Sequence, residues 1–150
     1  LFAAAAPSLI RRPEFPYGIT KEAVLDIIQG TYTDRPNMIM NFGNRIFHNY
    51  VTPWLSDWIF QLGLQAAGWA TAAVAETWIR EELFRDLRMI RVPTLILHGL
   101  DDKVCLFPLA MAQKNEIPDA KLIPLESCGH FLFIDQMERF NRELIDFIEK

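Results

Sequence analysis

The chain has 150 residues, 51% hydrophobic and 23% charged, the composition of a globular protein long enough to bury a real core. Its 15 Lys and Arg against 19 Asp and Glu give a net charge of −4 with no basic stripe, which argues against nucleic acid as a partner. The two cysteines, Cys105 and Cys128, are too few for a disulfide scaffold and fit a reducing, cytoplasmic compartment.

The first residues are apolar, Leu1 to Pro7, but no charged segment precedes them, so no signal peptide is expected. Residues 1–10 read as the tail of a strand running into a loop. A start on Leu inside an apolar run leads us to expect a fragment. Pro13 and Pro16 make 11–18 an irregular crossing segment. Thr20 can cap a helix over 21–29, with Val24, Leu25, Ile27 and Ile28 on its buried side and Gly30 as the stop.

Asp34 can cap a second helix with Pro36 in its first turn. Met38, Ile39, Phe42, Ile46 and Phe47 recur there at spacings of three and four. Thr52-Pro53 restarts the pattern, and Trp54, Leu55, Trp58, Ile59 and Leu62 form the next stripe. A break is expected within 63–68, then a helix over 69–79. The uncharged run 58–75 just reaches the length of a membrane span. Its Gln61, Gln65, Gly63, Gly68 and many alanines point instead to two helices packed on a core, with no membrane partner. A short helix over 81–88 completes this region.

After residue 90 the pattern changes. Pro93 opens an apolar run, Thr94 to Leu97, that reads as a buried strand. His98-Gly99 ends it, and Asp101 and Asp102 stand on the loop beyond. A helix over 108–115, a turn at 117–119, a strand over 121–125, a loop over 126–131 and a last helix over 135–149 follow. Met137, Phe140, Leu144, Phe147 and Ile148 mark one face of that helix, and Glu138 and Arg142 stand on the other. Strand–helix–strand–helix is a parallel α/β pattern. Two or three strands are few for a parallel sheet covered on both faces.

Asp102 and His130 lie 28 residues apart, each on a loop after a predicted strand. Such loops converge at the carboxyl edge of an open parallel sheet. A carboxylate there can fix a histidine tautomer and stabilise the imidazolium, which makes the histidine a general base. His98, Asp101, Asp102, Cys105, Cys128 and His130 are all metal-ligand types, but their spacings match no zinc pattern and no metal is expected. A cysteine nucleophile is equally weak, because Cys128 precedes the glycine of the Gly129-His130 pair.

The segment 93–102 followed by Ser127-Cys128-Gly129-His130 resembles the acid and histidine segments of the α/β-hydrolase superfamily. The resemblance implies a fold class of α/β, with the C-terminal part of an α/β-hydrolase present. It implies that 1–14 are the end of a core strand and a crossing loop, 15–82 a helical cap, and 83–150 the rest of the core. It makes Asp102 the acid, with Asp101 as the alternative, and His130 the base. Pro-Tyr-Gly, Gly-Thr-Tyr-Thr-Asp-Arg-Pro and Gly-Leu-Gln-Ala-Ala-Gly are similar to segments of the cofactor-free haloperoxidase-like esterases. That subgroup implies a small carboxylic ester as substrate and no cofactor. Trp54, Trp58 and Trp69 of the cap would then contribute to substrate binding.

The family's nucleophile lies on a Gly-x-Ser-x-Gly turn ahead of the cap. None occurs here, and the only serines are Ser8, Ser56 and Ser127, all expected to be structural. The resemblance therefore implies an enzyme half that needs an N-terminal half carrying the nucleophile, in the same chain or another. A second reading of different class stays open: a catalytically inactive chain that folds by association, including as a homo-oligomer.

Overall fold

In the computed structural model, which describes residues 1–149, the architecture divides at residue 90 as the sequence pattern does. Among the described residues, eight helices and two strands follow in the order α1 (Lys21–Thr33), α2 (Arg35–Ile46), α3 (Pro53–Gln65), α4 (Gly68–Arg80), α5 (Phe84–Met89), β1 (Thr94–Gly99), α6 (Phe107–Glu116), β2 (Ala120–Leu125), α7 (Leu132–Asp135) and α8 (Met137–Ile148).

The caps at Thr20 and Asp34 are where the sequence places them, and Thr52 caps α3 as well. Thr20, Asp34 and Thr52 each accept a hydrogen bond from a backbone N–H three residues on, at Ala23, Asn37 and Leu55. Gly30 is different from expectation. It does not stop α1, which runs on to Thr33. A Cβ at Gly30 would stand 3.2 Å from the Cβ of Met38, so the glycine serves the close passage of α2 rather than a helix end. The expected break after α3 falls at Ala66 and Ala67. Arg35, at the start of α2, fills that corner. Its Nη2 donates to the carbonyls of Gly63 (3.2 Å) and Ala66 (2.6 Å), and its Nη1 to Thr71 Oγ1 (3.1 Å). The run 58–75 is thus two helices, and no helix among the described residues is long and apolar enough to cross a membrane.

In this helical block α1 packs on α4 and α2 on α3. Below it, β1 and β2 pair in parallel, Thr94 opposite Ala120 and Gly99 opposite Leu125. The first residues flank the other edge of β1. Ala3 N–H donates to Leu97 O (3.0 Å) and Leu97 N–H to Leu1 O (2.9 Å), so a strand-like stub is present where a strand tail was expected.

The period-2 alternation of β1 assigns its side chains to two cores. Leu95 and Leu97 pack with Ile123, Leu125, Leu132 and Phe140, under α8. Ile96 packs with Leu87, Ala110 and Ile117, under α5 and α6. A strand buried on both faces reads as an unbroken apolar run, which is why β1 is plain in the sequence. The last helix, expected over 135–149, starts at Met137, and a separate turn precedes it. Leu132–Asp135 forms its own turn, and Gln136 (φ −136°) separates it from α8.

Candidate active site

Both candidate loops leave the carboxyl ends of β1 and β2. Backbone hydrogen bonds lace them together: Leu100 N–H donates to Leu125 O (2.9 Å) and Asp101 N–H to Cys128 O (3.0 Å). Gly99 makes this crossing possible. A Cβ there would meet Cys128 O at 2.2 Å and Gly129 O at 2.4 Å, distances no side chain tolerates. Ser127 takes the left-handed conformation (φ 49°) as the chain turns out of β2.

Asp102 is buried at the start of a tight turn. Its Oδ1 accepts from Val104 N–H (2.7 Å) and Cys105 N–H (2.9 Å), the local side-chain-to-backbone closure that aspartate favours. Those two bonds fix the carboxylate and offset its burial, at about 1.5–3 kcal/mol for a hydrogen bond to a charged group. Its Oδ2 is left for His130, whose Nδ1 lies 2.9 Å away. With Nδ1–H donating to the carboxylate, the neutral ring keeps Nε2 as an acceptor. The His130 side chain is 19% exposed and that of Asp102 0%, so the pair has a dry side and an open side. Asp101 is exposed, and its Oδ2 lies 3.4 Å from Nδ1 of His48. His48 itself is not in a helix, since α2 ends at Ile46.

His98 is fully buried beneath the turn. Its Nε2 donates to Cys105 O (2.6 Å) and lies 3.4 Å from Asp102 Oδ2. Burial pushes this imidazole below its ordinary pKa, and the Cys105 carbonyl and the Asp102 carboxylate pull it partly back. The two thiols are inert by environment. Burial, and then the Asp102 charge, pushes Cys105 up to about 12. Burial, and then Asp135 and its neighbours, pushes Cys128 up to about 12. Among the described residues no cluster of His, Cys, Asp and Glu is arranged to hold a metal.

Beside His130 an apolar cavity of about 370 Å³ lies between α2, α3 and residues 131–134. Phe42 and Trp58 line it, and Phe42 meets the His130 ring edge-on at 6.4 Å between centroids. Of the three tryptophans singled out from sequence, only Trp58 lines this cavity. Trp54 and Trp69 stand in the first turns of α3 and α4, are 84% and 73% exposed, and are not part of its wall. Ser56 lines the cavity, Ser8 is buried and donates to Ile10 O (2.9 Å), and Ser127 is exposed.

No protein-family model matches the chain. The AB hydrolase superfamily protein YisY of Bacillus subtilis is 35% identical over 98% of the chain and 55% of its own length. An esterase of Exiguobacterium antarcticum superposes on the whole chain with a TM-score of 0.97 at 35% identity, over 56% of its own length. The chain belongs to the α/β-hydrolase superfamily. A non-heme chloroperoxidase of Kitasatospora aureofaciens is 24% identical over 100% of the chain and 58% of its own length, so the haloperoxidase-like likeness holds as well.

This α/β-hydrolase chain spans a little over half the length of the relatives it matches, and its fold is correspondingly partial. Two features of the site were not legible in its sequence. One is the reach of His98 under the acid turn. The other is a set of contacts from residues 45–49 to both loops. Arg45 Nη2 donates to Lys103 O (2.6 Å), and Asp135 accepts from His48 and Asn49 N–H. The latter partners are 86 and 87 residues apart, and no local pattern announces such a pair.

Proposed function

We propose that this chain supplies the acid and base of a serine-type α/β-hydrolase acting on small carboxylic esters. The observation that carries the reading is the 2.9 Å contact from His130 Nδ1 to the buried, doubly anchored Asp102 carboxylate. Asp102 holds the imidazole in one tautomer, with Nε2 free on the open side. His130 takes the proton of a serine hydroxyl as that oxygen attacks the ester carbonyl, and returns it to the departing alcohol. It then takes a proton from the water that attacks the acyl–serine ester and returns it to the departing serine oxygen, and Asp102 stabilises the imidazolium each time.

The nucleophile in this reading lies outside these 150 residues, because none of Ser8, Ser56 and Ser127 sits on a Gly-x-Ser-x-Gly turn. Residues 15–82 act as the cap over a core formed by 83–150, and the cavity beside Phe42 and Trp58 takes the acyl group. The Exiguobacterium relative is an esterase, which supports the substrate class. A fluorophosphonate probe tests the proposal in the full-length protein. It should label one serine outside this chain, and His130→Ala should slow the labelling. Labelling of Ser8, Ser56 or Ser127, or no labelling at all, contradicts it.

A further inference from the structure

The histidine loop does not hold its position by itself. Its backbone rests directly on the connection between α2 and α3. Phe131 N–H donates to Ile46 O (3.0 Å), and a Cβ on Gly129 would meet both His48 N and Ile46 O at 2.8 Å. One side chain binds the two segments together. Asp135, the last residue of α7, accepts from Gly129 N–H (2.7 Å) and His48 N–H (2.9 Å) on Oδ2, and from Asn49 N–H (3.1 Å) on Oδ1. Asn49 closes the arrangement, its Nδ2 donating to Ser127 O (3.0 Å) and Asp135 O (3.3 Å).

We propose that Asp135 is a positioning residue for His130, the carboxylate clamp that sets the histidine loop against residues 46–49 and so holds the imidazole on Asp102. This rests on the reading of His130 as the base. Gly129 directly precedes His130, so any shift of its N–H swings the ring. A carboxylate suits the place for a simple reason. Both of its oxygens accept, and the three N–H groups approach it on both. An amide of the same shape has one acceptor oxygen, and its NH2 must face at least one of those donors. The clamp also joins the helical block to the chemistry, because His48 and Asn49 belong to the link between α2 and α3.

The test is Asp135→Asn in the full-length protein, with p-nitrophenyl acetate as the ester. Misplacing a base costs turnover, so kcat should fall by about 10- to 100-fold while KM stays within about twofold. A merely structural role would not move the second readout, the downfield proton resonance of the His130 Nδ1–H. That signal is assigned by its loss in His130→Ala, and it should vanish in Asp135→Asn. A resonance unchanged in position and intensity overturns the proposal, whatever the rate. An unchanged kcat overturns it as well. Should Asp135→Asn fail to fold, Asn49→Ala removes the two side-chain bonds that brace the clamp, to Ser127 O and Asp135 O, while leaving its backbone donors in place; it should weaken the same resonance and lower kcat, and no change in either overturns the proposal. Failure of the parent reading is distinguishable: His130→Ala would then keep its activity.

Discussion

Gly99→Ala is the substitution that the geometry of the two loops condemns most directly. The new methyl carbon would lie 2.2 Å from Cys128 O and 2.4 Å from Gly129 O. Ordinary carbon–oxygen contacts sit at about 3.3–3.6 Å, so the histidine loop must retreat by roughly 1 Å. Both clashing atoms are backbone, and no rotamer change relieves them. The bond from Asp101 N–H to Cys128 O, 3.0 Å long, would stretch to about 4 Å and be lost. Overpacking of this kind costs about 1–3 kcal/mol, read as a lower urea midpoint. The same retreat draws His130 from Asp102, and a misplacement of about 1 Å can cost turnover on the order of 100-fold. Urea denaturation and ester hydrolysis by the full-length protein measure the two effects together. A variant with the parental midpoint and the parental rate would refute the crossing of the loops as described.

Three further outcomes follow from the site. The buried His98 has a folded-state pKa below its unfolded value, so its contribution to stability is complete above the unfolded pKa of about 6.5 and declines as pH falls below it. His98→Leu should be less stable overall, since it leaves Cys105 O without its donor, but its urea midpoint should fall less steeply below pH 6.5; an equal slope removes His98 from the account. Cys105 and Cys128, with thiols near 12, should resist iodoacetamide at pH 8 in the native protein and react once unfolded, and stoichiometric native labelling would contradict their burial. Trp58→Ala should raise KM for butyrate esters by about 10-fold through lost contact area, with little change for Trp54→Ala; equal effects of the two would separate the cavity from substrate binding.

What could be read from the sequence was what local chemistry determines. The caps at Thr20 and Asp34 are short-range hydrogen bonds, so their signals survive in the chain order. Strand β1 is equally clear, because burial on both faces leaves it no polar position between Thr94 and His98. Gly30 misled because a glycine ends a helix by its backbone but also serves a helix crossing by its small size, and only the partner Met38 distinguishes the two. The short helix α7 is not announced by the sequence, which places the last helix over 135–149 and assigns no element to 132–134. Its separation from α8 is one backbone conformation at Gln136, not a proline or glycine. Trp54 and Trp58 share a helix face in spacing, and both are exposed, at 84% and 57%, yet only Trp58 lines the cavity. Depth along a helix is set by what packs on it, and periodicity does not record it. The meeting of Asp102 with His130 was suggested by strand ends that converge. The clamp through Asp135 was not, since it depends on how the helical block is seated.

The proposed hydrolysis depends on His130 acting as the base held by Asp102. The direct measurement is kcat/KM of His130→Ala for a short-chain ester in the full-length protein, with folding checked by its urea midpoint. Loss of the base should lower kcat/KM by at least about 1,000-fold with the fold retained. Activity within about 10-fold of the parent would contradict the assignment.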